Sequence, residues 1–240
     1  MEIEIKLAPA RRTTAMTLLE KEGFFISPAR RVEMEASYFD TADRALKASG
    51  VSLRLRQENG IGVCCLKYRV SAISRHEFEK RALTIEEGVR ALCADSRLPS
   101  EIAQLISSAD LVCLYSSRFT RTLRLAQWGR STVEVAFDLG ELNQDDRFCA
   151  VSELELELKE GDVGDLEAMC AYLQAKYALP LSDSTKAGRA SALTQEAFER
   201  MSRASVQNMS ADDIESAYMM GKLWKKQVGD DIRYYNAEKY

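Results

Sequence analysis

The chain of 240 residues contains a single histidine, His76. One imidazole excludes a multi-histidine zinc centre and argues against a serine–histidine nucleophilic triad. The six cysteines, Cys64, Cys65, Cys93, Cys113, Cys149 and Cys170, contain no Cys-x-x-Cys pair. That removes the usual zinc and dithiol redox signatures and favours reduced thiols. No apolar run approaches the roughly 20 residues of a membrane-spanning helix. Met1 to Lys6 is already charged and strand-like, unlike a leader, so the expectation is a cytoplasmic protein with no membrane partner. Excess positive charge is also missing: the formal net charge is −4. A chain without a global basic field is not expected to bind duplex nucleic acid through overall charge, so any phosphate recognition has to be local.

What the chain does have is charge in alternation. Glu2, Glu4 and Lys6 alternate with Ile3, Ile5 and Leu7; Arg54 and Arg56 alternate with Leu53 and Leu55; Glu153, Glu155, Glu157 and Lys159 alternate with Leu154, Leu156 and Leu158. Successive strand side chains face opposite ways, so each segment carries one apolar and one ionic face. Lys67 and Arg69, then Glu77, Glu79 and Arg81, then Glu134 and Asp138 repeat the device. The apolar faces must be buried. If the strands share a sheet that closes on itself, the ionic faces line a tunnel with acidic and basic walls, suited to a metal-bound polyanion.

Turn and cap signals divide the chain. After a first strand ending near Leu7, Pro9 opens a helix that stops at Gly23. Strands follow at 32–39, 51–57, 61–69, 75–83, 114–125, 131–139 and 151–159, the third and fourth joined by the Asn59-Gly60 turn signal. Asp40 and Thr41 cap a short helix through Leu46, Thr84 and Glu87 form a capping-box pattern before a helix over 86–94, and Ser100 caps a helix to about Ser108. Helices are expected over 163–177 and 183–193. The fold class is α+β: a closed eight-stranded antiparallel β-barrel with a charged interior, helices packed outside, and a C-terminal helical extension. The domains are residues 1–193 and the extension 194–240. In the extension, Ile214, Ala217, Tyr218, Gly221, Trp224 and Val228 lie at helical spacing, a stripe for docking on the body or for homodimer contact.

The segments "EIEIKL", "YFDTADRALKASGVSLRLRQENG", "CLKYR", "RHEFEKRAL", "VEVAFDLGEL", "SELELELKEGD" and "STKAGRA" together resemble the CYTH domain, the superfamily of triphosphate tunnel metalloenzymes, over roughly residues 1–193. The likeness is greatest to bacterial CYTH proteins regarded as inorganic triphosphatases. Those often carry a helical CHAD domain after the tunnel, and the fewer than fifty residues remaining here are too few for a full one.

The resemblance implies metal-dependent hydrolysis of a triphosphate, first of all inorganic tripolyphosphate, to diphosphate and phosphate. Other activities of the superfamily, on thiamine triphosphate, RNA 5′-triphosphate ends or ATP, are the alternatives, as is a polyphosphate-binding module without turnover. By the resemblance and by charge logic, Glu2, Glu4, Glu153, Glu155 and Glu157 are the metal ligands, for Mg²⁺ or Mn²⁺. Lys6, Arg54, Arg56, Lys67 and Arg121 grip phosphate oxygens, since arginine offers a planar fork and lysine a movable point charge. Glu77, Glu79 and Asp138 position water or a second ion, and Lys186 resembles a family lysine that reaches inward from a closing helix; with Lys6 these form the catalytic set. Parity leaves open which of Arg118, Arg121 and Arg124 faces inward, and puts His76 on the face opposite Glu77 and Glu79.

Overall fold

The structure is a computed structural model and describes residues 3–8, 12–69, 75–182 and 185–237. Its elements run β1 (Glu4–Leu7), α1 (Arg12–Lys21), β2 (Arg30–Asp40), α2 (Ala45–Ala48), β3 (Val51–Glu58), β4 (Ile61–Arg69), β5 (Arg75–Arg81), α3 (Ile85–Cys93), α4 (Ser100–Ser108), β6 (Val112–Trp128), β7 (Ser131–Gln144), β8 (Arg147–Glu160), α5 (Val163–Tyr177), α6 (Lys186–Ala192), α7 (Gln195–Arg200), α8 (Ala211–Met219), β9 (Leu223–Val228) and β10 (Asp231–Asn236). The expected helix starts at Pro9 and Asp183 lie outside the described residues. Ser100 is the first residue of α4 rather than its cap.

Two compact units share these elements, one built on Val32–Arg118 and the other on Glu4–Arg31 with Phe119–Tyr240. In the first, β2, β3, β4 and β5 are antiparallel neighbours in chain order. The register pairs Arg54 with Cys65 and Tyr38, and Lys67 with Glu77, so these residues share one face. The other face carries Leu53, Cys64 and Leu66, each at most 1% exposed, in a core with Leu46, Ile85, Leu92 and Ile106 from the helices. Fully burying one such side chain contributes about 1.5–3 kcal/mol, so the sheet's parity is held chiefly by this core. Thr84 caps α3 by accepting from the Glu87 amide at 3.3 Å.

In the second unit β8 is central. Its Glu153, Glu155 and Glu157 pair with Asp138, Ala136 and Glu134 of β7, and its Glu155 and Glu157 pair on the opposite edge with Lys6 and Glu4 of β1. That same edge accepts β9 further back, at Arg147 and Phe148. The apolar face of the unit buries Leu7, Leu154, Leu156, Val133, Val135 and Phe137 with residues of α1 and α5, among them Leu18, Leu166, Met169 and Leu173. Ser131, Asp162 and Asp165 form the turn that leads into α5: the Ser131 hydroxyl donates to Asp165 at 2.7 Å, and the Asp162 side chain accepts from the Gly164 amide at 2.8 Å.

Two expectations are corrected. The strands number ten among the described residues rather than eight, and in neither unit does the hydrogen-bonded order close on itself. The extension is not purely helical. After α7 and α8, Gly221 adopts φ +71°, and the chain enters the β9–β10 hairpin, which pairs Val228 with Asp231 across Gly229-Asp230. Gly229 has φ +61°, the conformation a two-residue hairpin loop requires. The stripe proposed for homodimer contact therefore does not exist as one helical face: Tyr218 and Leu223 pack with Ala150, and Trp224 lies in β9 beside Phe198. No described helix is long and apolar enough to cross a membrane.

Candidate functional site

The ionic face of the second unit converges on one lysine. Lys186, the first residue of α6, lies 2.8 Å from Asp138 Oδ2 and 3.0 Å from Glu155 Oε1, and also pairs with Glu153 Oε2. All four residues are buried, Asp138 completely. Thr185 starts α6 by accepting from the Gly188 amide at 2.9 Å, which fixes where the helix, and hence Lys186, begins. Lys6 meets Glu155 Oε1 at 2.6 Å and Glu4 at 3.4 Å. Arg121 grips Asp138 with both ends of its fork at 2.7 Å and also reaches Glu155 Oε2.

Removing charges from water costs several kcal/mol per ion, so such a cluster persists only when its members neutralise one another. Here Asp138, Glu153 and Glu155 face Lys6, Arg121, Lys186 and Arg189. The balance appears in the acid–base properties. Burial works against the Lys186 ammonium, yet Glu155, Asp138 and Glu153 lift its pKa above the ordinary lysine value. For Glu155, burial is outweighed by Lys186, Arg121 and Lys6, which hold the carboxyl well below the usual range. Lys6 is raised in the same way, its burial overcome chiefly by Glu155.

Next to this cluster Glu4 and Glu157 are cross-strand partners, and Glu134 partners Glu157 on its other side. Lys159 pairs with Glu157 at 2.8 Å and approaches Glu134 at 3.7 Å. Glu2, the remaining expected ligand, lies outside the described residues.

The first unit has its own ionic face. Glu77 accepts from the Cys65 thiol at 2.9 Å, meets Lys67 at 3.2 Å and lies 3.8 Å from Arg54. Arg56 pairs with Glu58 at 2.7 Å and with Glu79 at 2.9 Å. Burial alone would raise the Glu77 pKa, but Lys67, the thiol and Arg54 lower it. Burial pushes the Cys65 thiol up to about 12, so it stays protonated and donates. Tyr38, stacked on Tyr115 with ring centroids 4.5 Å apart, is the cross-strand partner of Arg54.

Arg121 is thus the arginine of its strand on an ionic face. Arg118 pairs with Glu35 with most of its side chain exposed, and Arg124 donates to the Ser27 and Leu19 carbonyls at 2.8 and 2.7 Å over the Phe25 ring. His76 is exposed beside Tyr68, on the face opposite Glu77. The face of the second unit gathers Glu4, Lys6, Arg121, Asp138, Glu153, Glu155, Glu157 and Lys186; that of the first gathers Arg54, Arg56, Lys67, Glu77 and Glu79. Two participants were missed. Cys65 reads as a core residue by type, although its odd number places it with Lys67. Arg189 was signalled only by its place three residues after Lys186, on the same side of a helix.

Fold and site together define an antiparallel β protein whose sheets bury apolar residues on one face and paired acidic and basic groups on the other. The chain belongs to the CYTH domain family, whose model matches residues 1–191. It is 30% identical over 214 residues to an inorganic triphosphatase of Haemophilus influenzae; the match takes in 82% of this chain and 56% of that protein, so the chain spans about half the length of this curated relative. Among solved structures it resembles HpAC1 of Hippeastrum, described as a candidate adenylyl cyclase with a dominant triphosphatase activity, at 21% identity and TM-score 0.53 over 81% of this chain and 98% of that one. It also resembles the PH1819 protein of Pyrococcus horikoshii OT3, at 15% identity and TM-score 0.50 over 79% and 97%. At such identities these likenesses speak for the fold.

Proposed function

We propose that this chain hydrolyses a triphosphate with the help of Mg²⁺ or Mn²⁺, with inorganic tripolyphosphate as substrate and diphosphate and phosphate as products. The observation that carries the reading is the buried Lys186 amid three carboxylates, in a chain of the CYTH family related to an inorganic triphosphatase. A polyanion finds both partners it needs: cations for its oxygens and carboxylates for its counter-ions.

The donor set suits a hard divalent ion, because it consists of carboxylate oxygens. Glu155 has both oxygens engaged by Lys6, Lys186 and Arg121; the cross-strand partners Glu4 and Glu157 are the first choice to hold the ion, with Glu2, two residues before Glu4 in sequence, and Glu155 next. Direct binding by one or two carboxylates is what Mg²⁺ prefers. When bound, such an ion neutralises phosphate oxygens and lowers the pKa of an attacking water.

The protein's own part is alignment and charge stabilisation, since phosphoryl transfer proceeds through a loose transition state. Arg54, Arg56 and Lys67 hold phosphate oxygens. Arg54 Nε is buried without a hydrogen-bond acceptor among the described residues, a donor open for a ligand oxygen. On the second unit's own face, Lys6, Arg121 and Lys186 supply the positive charge a phosphate group needs, and Asp138 orients the last two. Glu77, kept ionised by its neighbours, and Glu79 orient a water or take its proton.

The test is phosphate release from tripolyphosphate, ATP, thiamine triphosphate and long polyphosphate, with and without Mg²⁺ or Mn²⁺. Tripolyphosphate is cleaved fastest, chelation stops the reaction, and the double change Glu2→Gln, Glu4→Gln lowers the rate at least about a hundredfold with the fold retained by circular dichroism. Tight binding without turnover would replace the hydrolase by a binding module, and undiminished activity in the double variant would remove these carboxylates from the site.

A further inference from the structure

One half-buried cation beside the cluster has no part in that mechanism. Arg189, one turn after Lys186 on α6, extends its guanidinium to β8, where Nη2 meets Glu153 Oε1 at 2.6 Å and Nη1 donates to the Ala150 carbonyl at 3.1 Å. The other oxygen of Glu153 accepts from Lys186. Glu153 is 1% exposed and is therefore held by two cations of one helix and by nothing from solvent.

We infer that Arg189 is a positioning residue: by neutralising Glu153 and tying α6 to β8, it places the Lys186 ammonium between Asp138 and Glu155, and Glu153 serves this clamp rather than a metal. The argument rests on counting charges and donors. Lys186 is shared among three carboxylates, and without Arg189 the buried Glu153 would keep Lys186 as its one ion-pair partner among the described residues and would draw the ammonium away from the other two. The fork geometry matters too, since one planar guanidinium spans a carboxylate and a carbonyl three residues apart on the same strand, and a lysine cannot make both contacts. Seven-residue α6 is too short to hold its own position, so its place depends on such tertiary ties.

This role deepens the triphosphatase reading and rests on it for its kinetic consequence, but not for its structural one. Two measurements separate them. In Arg189→Met, backbone amides of 186–192 exchange hydrogen at least about tenfold faster than in the parent, while those of α5 are unchanged. On tripolyphosphate, kcat falls about tenfold to a hundredfold with KM altered less than about threefold, the size of one charge-assisted hydrogen bond. Arg189→Lys recovers only part of the kcat loss, since it keeps the charge but not both contacts, Glu153→Gln reproduces the Arg189→Met phenotype, and the double variant is no worse than either single change. Unchanged exchange in α6, or independent additive losses in the double variant, would overturn the inference. A parent protein inactive on every triphosphate, yet showing faster α6 exchange in Arg189→Met, would sink the proposed activity and leave the clamp standing.

Discussion

At the scale of the residue, the cations of these faces lie beside carboxylates. Arg54 approaches Glu77, which is shared with Lys67 and the Cys65 thiol; Arg56 is divided between Glu58 and Glu79. A phosphate oxygen therefore has to compete with a carboxylate for each cation, and more than one cation is needed to hold the ligand. Changing Arg54 and Arg56 together to Ala should weaken tripolyphosphate binding roughly a hundredfold or more, two charge-assisted bonds being removed; isothermal titration with chelator present reads this directly, and an unchanged affinity would place the ligand elsewhere. The two arginines were legible because strand parity is strict: Leu53 and Leu55 next to them demand the opposite face. Arg189 and the role of Glu153 were not, because their contact joins residues 36 positions apart through the packing of a short helix on a strand, which no local pattern encodes.

At the scale of the element, hairpins and capped helices followed their local chemistry, as at Asn59-Gly60 and at Thr84. The last forty residues did not follow the reading made of them. Trp224 and Val228 stand at helical distance from Tyr218 and Gly221 by coincidence, and the competing signal, Gly229-Asp230 between two β-rich hexamers, was passed over. Hydrophobic spacing of three and four is compatible with a strand when only alternate members are counted, so the turn residue should have decided. The hairpin has a structural consequence that can be measured. Trp224 is 4% exposed against Phe198 in α7, which also meets Tyr235 of β10 edge-on at 5.0 Å. Trp224→Ala should cost about 3–5 kcal/mol of stability, read as a lowered urea midpoint; a loss below about 1 kcal/mol would show that the hairpin is loosely docked on its unit.

At the scale of the whole molecule, two classes of charge set limits on stability from opposite ends of the pH range. Glu155 and Glu77 have folded pKa values below the ordinary 4.5, so the stabilisation they supply is fully present above about that value and fades as pH falls through the lowered folded values. Lys6 and Lys186 are raised above 10.5; their share is complete below that value and fades as pH rises through the raised ones. Between the two lies a broad plateau on which neither pair of groups changes its charge. Chemical denaturation across pH should show stability flat from about pH 6 to 9 and falling below about pH 4. The acid limb should shrink in Glu155→Gln, because a group that cannot ionise contributes no proton linkage. An acid limb of the same slope in that variant would assign the loss to other carboxylates and would remove Glu155 from the groups that hold the fold through their charge.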